Sequence, residues 1–486
     1  MYLDRVTSTT PRVTPAPASS PTSGAQPWTM RTWLLLLVVC IVIALDGLDV
    51  SMVGVALPAI GTELSLETGT LQWMVSAYVL GYGSLLLLGG RLADLLGRRR
   101  ILLIALAVFA AASLAGGLVS DPAIVIASRF VKGIAAAFTA PAAFSLITTN
   151  FAEGPSRNRA ISIFTTFAAS GFSLGLIVGG LMTSLSWRWT FLFSVPFAVT
   201  ALVLGLFFIP RDRVAKTGGH DIWGALTLAV GMLTLVYTVV SAPEVGWSSL
   251  QTILGLVAAA VVLAAFAVIE LRVRHPLIRF GILREGFVAR ANISAIALFG
   301  SYVSFQFILT IYLQSVLGWP PLSMALALLP AGLVVVATAP FADRLIDRFG
   351  SRLLITVALG ALSLGYLLFL RVGTDPLYAV DILPSVLLLG AGFALGFPAI
   401  QERATAGISN DEQGLAAGLV QSSSQVGAAL VLAVTTALIA GGEHAADASA
   451  AQMLDAFRPG LVLSTAVALA GFAVALAPAR RAARRR

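Results

Sequence analysis

The chain has 486 residues, of which 58% are hydrophobic and 11% are charged, and its mean hydropathy is +0.92. A soluble protein of this length would carry roughly a quarter of charged residues, so the composition excludes a soluble globular fold and indicates an integral membrane protein. The formal net charge of +8 is spread in short groups between apolar segments, which argues against a nucleic-acid-binding surface.

The first predicted element is a tail, residues 1–30, which is rich in Pro, Ser and Thr and is expected to be disordered and cytoplasmic. Because a helix needs about 20 apolar residues to cross a bilayer, the remaining sequence predicts fourteen transmembrane helices. The single cysteine, Cys40, lies in the first of them and excludes a disulfide framework. The expected limits are 32–54, 71–91, 101–119, 123–147, 161–183, 190–209, 222–241, 250–270, 291–312, 324–341, 353–371, 381–400, 414–439 and 460–478.

The loops support this order of helices. Most of the 31 Lys and Arg residues fall in alternate loops, as expected when cytoplasmic loops collect positive charge. The pattern predicts a multi-pass protein of the cell membrane with both termini in the cytoplasm. Long basic linkers then divide an all-α polytopic protein into an N-terminal six-helix bundle (31–210), two inserted transmembrane helices (211–271), a C-terminal six-helix bundle (272–479) and a basic cytoplasmic tail (480–486).

Four charged residues lie deep inside predicted membrane helices, where ionisable groups are costly and indicate function. Asp46 and Asp49 are three residues apart in the first helix, and Arg129 and Lys132 are three apart in the fourth, so each pair shares a helix face. One hypothesis is that Asp49, together with Asp46, carries a proton under the control of Arg129. The alternative is a set of static ion pairs that stabilises the bundle.

One short segment occurs in both halves of the chain. Residues 90–99, GRLADLLGRR, have a weaker echo in residues 343–352, DRLIDRFGSR, which predicts two similar bundles. With these motifs, the sequence resembles the major facilitator superfamily and, within it, the fourteen-helix drug:proton antiporter branch of EmrB/QacA type. Further matches are Asp49-x-Ser51 with Pro58, Leu71 to Tyr78, Arg129 to Gly133, Gly175 to Gly180, Ser186 to Phe191, Tyr312 to Gly318, and Gln413 to Gly427.

The resemblance implies two six-helix bundles plus the two inserted helices, with helices one and four adjacent and lining a central cavity. It implies a conformational latch formed by residues at the second loop, namely Gly90, Asp94, Gly97, Arg98 and Arg99. It also implies an antiporter-motif helix containing Gly175, Gly179 and Gly180, in which Leu176 stands where the family has proline. The implied activity is proton-coupled export of small lipophilic or amphipathic compounds, such as drugs or antibiotics, by alternating access.

The substrate cavity is expected to include a cation and several amides. Lys132 stands where the family usually has glutamine, and a cation there would disfavour lipophilic cations as substrates. The other candidate cavity residues lie in the C-terminal half: Gln306, Gln314, Gln421 and Gln425. Each glutamine is equally well explained as a hydrogen bond between helices.

Other chemistries have little support in the sequence. The chain has no phosphate-binding Gly-Lys-Ser/Thr loop, and its three histidines fall in loops, so we expect neither ATP hydrolysis nor a metal site. We expect no cofactor, with the proton gradient as energy source, and a monomer whose partners are a small-molecule substrate and the lipid bilayer. Two alternatives stay open: an importer or facilitator of a small metabolite or organic anion, and a non-transporting membrane sensor or enzyme.

Overall fold

The computed structural model describes residues 28–152, 155–211, 222–273, 286–406, 410–440 and 449–477, and all regular elements in these ranges are helical. The two predicted tails fall almost entirely outside this part of the chain. The helices of the first half are α1 Met30–Leu64, α2 Thr68–Leu96, α3 Arg98–Leu118, α4 Pro122–Asn150, α5 Pro155–Leu185, α6 Arg188–Leu192 and α7 Ser194–Phe208. They are followed by α8 Ile222–Val245 and α9 Leu250–Arg272.

The second half begins with α10 Gly286–Ile311, which continues into a π-helical turn, Tyr312–Val316. The remaining helices are α11 Pro321–Thr338, α12 Ala342–Phe349, α13 Ser351–Phe369, α14 Leu383–Thr405, α15 Asn410–Ala440 and α16 Ala450–Leu476. A 3₁₀ turn, Ala339–Phe341, joins α11 to α12, and a second π-helical turn, Tyr378–Ile382, precedes α14. Several helices therefore run beyond the predicted apolar limits by one to three turns.

Twelve helices in the described part of the chain are long and apolar enough to cross a membrane. The predicted count of fourteen is therefore not confirmed. The difference lies in α2, which has 29 residues, and α5, which has 31 residues but only a short described apolar stretch, Leu174–Leu185. Polar and small residues in the first half of α5 dilute its hydropathy, because this helix packs against other helices rather than only against lipid.

Helix packing forms two bundles and a separate pair. In the first bundle α1 packs on α5, α2 on α4, and α3 on α4 and α7; in the second, α13 packs on α14 and α10 on α15 and α16. Glycines allow backbones to approach closely: a methyl group at Gly133 would lie 2.1 Å from the Tyr78 carbonyl oxygen. The inserted helix α8 packs on α9 and also on α2 and α15, one helix from each bundle.

The two copies of the predicted repeat have the same structure. Gly97, between α2 and α3, has φ +98°, and Gly350, between α12 and α13, has φ +76°, a backbone region that favours glycine. Two residues later, Arg99 donates to the Leu206 carbonyl oxygen at the end of α7 (2.7 Å), and Arg352 donates to the Leu476 carbonyl oxygen at the end of α16 (2.8 Å). Each arginine thus caps the sixth helix of its own bundle, where the helix dipole favours a cation.

These arginines define the basic end of the molecule, where α1 begins and α16 ends. At the other end, called the opposite end below, the bundles contact each other. A methyl group at Gly180 of α5 would lie 2.6 Å from Ala325 Cβ of α11, and the Gln314 side chain donates to the Val55 carbonyl oxygen of α1 at 2.8 Å. One continuous apolar core includes residues of both bundles at this end, whereas the core around Leu36 and Leu146 near the basic end belongs to the first bundle. The structure is therefore closed at the opposite end.

Candidate functional site

The predicted charged residues of α1 and α4 meet in the middle of the first bundle. Asp49 forms ion pairs with both cations, one carboxylate oxygen bonding the Arg129 guanidinium and the other the Lys132 ammonium. The side chains of Asp49 and Lys132 are 0% exposed and that of Arg129 is 2% exposed. A buried carboxylate is thus satisfied by two cations, which is the condition under which such charges are tolerated.

Aromatic rings and a carbonyl group complete the surroundings of the two cations. The Arg129 Nε donates to the Met74 carbonyl oxygen of α2 at 2.9 Å, and its guanidinium lies 4.6 Å from the centre of the Tyr78 ring. The Lys132 ammonium lies 4.8 Å from the centre of the Phe109 ring of α3. Cations over ring faces gain further electrostatic stabilisation, so α2 and α3 help to fix the ion pairs.

Asp46 lies one turn from Asp49 and has a different environment. Its side chain accepts one long hydrogen bond, from the Thr139 hydroxyl at 3.5 Å, and among the described residues no cation lies within ion-pair distance of it. The residue is 8% exposed, compared with 1% for Asp49. The two aspartates, which the sequence could not distinguish by charge or helix face, therefore differ in partner and in access.

The predicted antiporter-motif glycines bring α5 against α1. A methyl group at Gly175 would lie 2.9 Å from the Leu48 Cα, and one at Gly179 would lie 2.8 Å from the Met52 Cα. Gly180 faces α11 of the other bundle instead. Leu176, which replaces the family's proline, is 3% exposed and part of the continuous core at the opposite end. The motif therefore sets the distance from α5 both to the charge-bearing helix α1 and to the second bundle.

The predicted cavity residues are not gathered at one surface. Lys132 is buried in its ion pair, and Gln314 contacts the Val55 backbone at the opposite end. Gln421 lies close to the Tyr82 side chain of α2, and a methyl group at Gly83 would lie 2.7 Å from Gln425 Cβ. These glutamines of α15 lie where the two bundles meet.

Three further residues complete the account of the predicted site. Gln306 is half-buried on α10, and Asn292, on the same helix, accepts a hydrogen bond from Ser423 of α15 at 2.7 Å. Thr139, the partner of Asp46, was not singled out from the sequence. Its spacing of seven residues from Lys132 is a signal that would have found it, because residues seven apart share a helix face.

The predicted latch lies at the turn between α2 and α3. A methyl group at Gly90 would lie 3.6 Å from Pro141 Cβ of α4, Gly97 makes the turn, and Arg98 begins α3. Arg99 contacts its own bundle through the Leu206 carbonyl oxygen. The side chain of Asp94 is outside the described residues, so its predicted role stays a prediction.

Two repeated helical bundles in the membrane, with buried charges inside the first bundle and a contact zone between the bundles at one end, are the features of a secondary transporter. Residues 39–432 match the family model described as Major Facilitator Superfamily. The chain belongs to the Major Facilitator Superfamily, a family of transporters rather than enzymes.

Relatives of similar length are associated with antibiotics. The chain is 37% identical over 426 residues to the puromycin resistance protein pur8 of Streptomyces alboniger, covering 85% of this chain and 83% of that protein. It is 34% identical over 441 residues to the cephamycin export protein CmcT of Amycolatopsis lactamdurans, covering 89% and 90%. The fold is similar to a crystal structure of the nucleoside transporter NupG, with a TM-score of 0.62 at 11% identity, covering 93% of this chain and all of that chain.

Proposed function

We propose that this protein exports small lipophilic or amphipathic compounds, with antibiotics among them, in exchange for protons. The observation that carries the proposal is the buried cluster of Asp46, Asp49, Arg129 and Lys132 between α1 and α4. Ionisable side chains inside a membrane bundle are energetically costly, so the presence of four of them indicates a role in ion or substrate transport. The relatives named for puromycin resistance and cephamycin export support the direction and the class of substrate.

We further propose that α2 and α5 also cross the bilayer, which would place the chain in the fourteen-helix drug:proton antiporter branch. Both are longer than the roughly 20 residues that a crossing needs. The basic end would then face the cytoplasm, since Lys and Arg favour that side, and both termini would be cytoplasmic. The protein would act as a monomer in the cell membrane, with the proton gradient as its energy source.

The contact between the bundles supports alternating access. The structure is closed at the opposite end by Gly180 against α11 and by the bond from Gln314 to Val55. In this arrangement a compound would enter from the basic end, and separation of these contacts would release it at the opposite end. The opposite end is therefore held closed by close backbone packing at Gly180 and by the neutral hydrogen bond from Gln314, rather than by an ion pair between these groups.

The test uses everted membrane vesicles that contain the protein. With an acid interior, wild type is expected to accumulate puromycin, and collapsing the pH gradient with an uncoupler should abolish the accumulation. A cephamycin extends the panel, because one of the relatives is named for cephamycin export. No gradient-dependent uptake of any compound would refute proton-coupled export. Uptake driven in the reverse direction, in right-side-out vesicles, would favour the importer.

A further inference from the structure

We propose that Asp46, rather than Asp49, is the carboxyl group that takes up and releases the transported proton, and that Asp49 is a permanent counter-ion for Arg129 and Lys132. The inference rests on the proposed function, because it divides roles within the cluster that would couple protons to export. It reverses the expectation from the sequence, where Asp49 belongs to the recognised motif and Asp46 does not.

The first argument is the cost of protonating each carboxylate. Asp49 is the one anion among the described residues that pairs with Arg129 and Lys132, so adding a proton to it would leave two buried cations without that ion-pair partner. Removing one partner of a buried ion pair is strongly destabilising, because it leaves a buried charge uncompensated. Adding a proton to Asp46 breaks no ion pair, since its one contact is a long hydrogen bond from Thr139. That hydroxyl also bonds its own helix, at the Ala136 carbonyl oxygen, 3.2 Å away.

The second argument is access. Asp49 has no exposed side-chain surface, and Tyr78 and Phe109 enclose the cations that bind it. Asp46 lies about one turn nearer to the basic end of α1 and is 8% exposed. In the conformation closed at the opposite end, Asp46 is therefore the carboxylate nearer to the basic end, where a proton that moves against the exported compound is released.

The third argument is a connection between Asp46 and the moving interface. The groups that face Asp46 are Asp49 on its own helix, Lys132 and Thr139 on α4, and Tyr78 and Tyr82 on α2. Tyr82 in turn lies close to the Gln421 side chain of α15, in the second bundle. Separation of α2 from α15 would move Gln421 away from Tyr82 and so change the polar surroundings of Asp46. The ion pairs of Asp49 with Arg129 and Lys132 lie wholly within the first bundle. Bundle motion thus acts on Asp46 more directly than on Asp49.

The experiment compares purified wild type, Asp46→Asn and Asp49→Asn in proteoliposomes with radiolabelled puromycin. Two rates are measured: accumulation driven by a pH gradient, and exchange of labelled for unlabelled puromycin at equal pH on both sides. A gradient of one pH unit supports about tenfold accumulation for each proton exchanged. Asp46→Asn is expected to abolish the accumulation driven by the pH gradient, so that puromycin reaches equal concentrations on both sides. The variant is expected to retain exchange of labelled for unlabelled puromycin, because the substrate still moves without the proton.

Asp49→Asn is expected to lower the melting temperature, because two buried cations lose their counter-ion. The double variant Asp49→Asn with Lys132→Gln removes one of those cations, and it is expected to recover stability and part of the driven accumulation. If Asp46→Asn still accumulates puromycin about tenfold while the folded double variant retains exchange but loses accumulation, the assignment is overturned and proton-coupled export stands. If wild type exchanges puromycin but the gradient drives no accumulation, the proposed coupling itself fails.

A second measurement does not depend on the substrate. Infrared difference spectra of the membrane-embedded protein, recorded between acidic and neutral pH, are expected to contain a carbonyl band from a protonated carboxyl group in an apolar environment. Asp46→Asn should remove this band and Thr139→Val should shift it, because the hydroxyl bonds the Asp46 carboxylate. Retention of the band in Asp46→Asn and its loss in the folded double variant would assign the proton to Asp49 instead.

Discussion

Replacement of Gly180 by alanine is expected to open the contact between the bundles. The added methyl carbon would lie 2.6 Å from Ala325 Cβ and 3.0 Å from both the Leu322 Cα and the Pro321 carbonyl oxygen. Two of these three atoms belong to the α11 backbone, so they cannot move aside without moving the helix. Overpacking of this kind costs about 1–3 kcal/mol. Alanine also stabilises α5 as a helix by about 1 kcal/mol, but that gain applies to both conformations and cancels.

A cost of about 1–3 kcal/mol confined to the closed conformation shifts the equilibrium roughly 5- to 150-fold towards the conformation open at the opposite end. The shift is measured by pulsed electron spin resonance between spin labels at Thr62→Cys on α1 and Ser323→Cys on α11, in a Cys40→Ala background. Thr62 and Ser323 are exposed, so the labels themselves do not disturb the core. The expected result for Gly180→Ala is a new population at longer distance.

Two control variants distinguish crowding between bundles from crowding alone. Gly54→Ala adds the same methyl group to α1 with no atom within 4 Å, and should leave the distances unchanged. Gly365→Ala places it 3.2 Å from Leu388 Cβ and 3.3 Å from the Ser385 carbonyl oxygen of the same bundle, and should lower stability without changing the distances. An unchanged distance distribution for Gly180→Ala, or an equal change for Gly365→Ala, would refute the reasoning.

Three further predictions concern the ends of the helices. Gln314→Leu removes the hydrogen bond to the Val55 carbonyl oxygen and should favour the open conformation by about 1 kcal/mol in the same spin-label assay. The control variant Gln306→Leu should leave the distances unchanged, and equal effects of the two variants would contradict this role of Gln314. Arg352→Ala removes the cap of α16 and should lower the stability of the protein by about 1 kcal/mol, measured as a lower melting temperature. Salt should reduce this loss, and a loss that persists in full at high salt would argue against an electrostatic contribution. Gly350→Ala places a side chain on a residue with positive φ and should lower stability by about 1–2 kcal/mol, although no neighbouring atom lies within 4 Å of the added methyl group. An unchanged melting temperature in thermal unfolding would show that the turn relaxes.

Much of the fold could be predicted from the charge pattern of the loops and the positions of glycines, for physical reasons. Apolar length is a strict requirement in a bilayer, so the positions of most helices follow from hydropathy. The repeat at Gly97 and Gly350 was readable because a left-handed turn demands glycine, and the arginine two residues later contacts the end of the same helix in each bundle. The two predicted spans that the count of twelve leaves out, α2 and α5, both take part in the contacts between bundles.

Pairing inside the site was less predictable. The sequence placed two carboxylates against two cations, but which aspartate takes both cations depends on side-chain reach across the gap between α1 and α4. Gln314 was expected in a substrate cavity, yet its partner is a backbone carbonyl oxygen, that of Val55, and every residue has such a group. A hydrogen bond from a side chain to the backbone leaves no pattern in the partner's residue type, so spacing cannot reveal it.

The position of α8 makes the two sides of the molecule unequal. On one side, α2 and α15 contact each other, and α8 packs on both with valines such as Val236 and Val240 near Val79 and Ala429. On the other side, α5 and α11 meet directly. A helix that packs on both bundles restrains them on its own side, so we expect rocking of one bundle against the other to displace α5 and α11 more than α2 and α15. Because α9 packs on α8 and is mostly exposed, the restrained side of the molecule borders the lipid through α9.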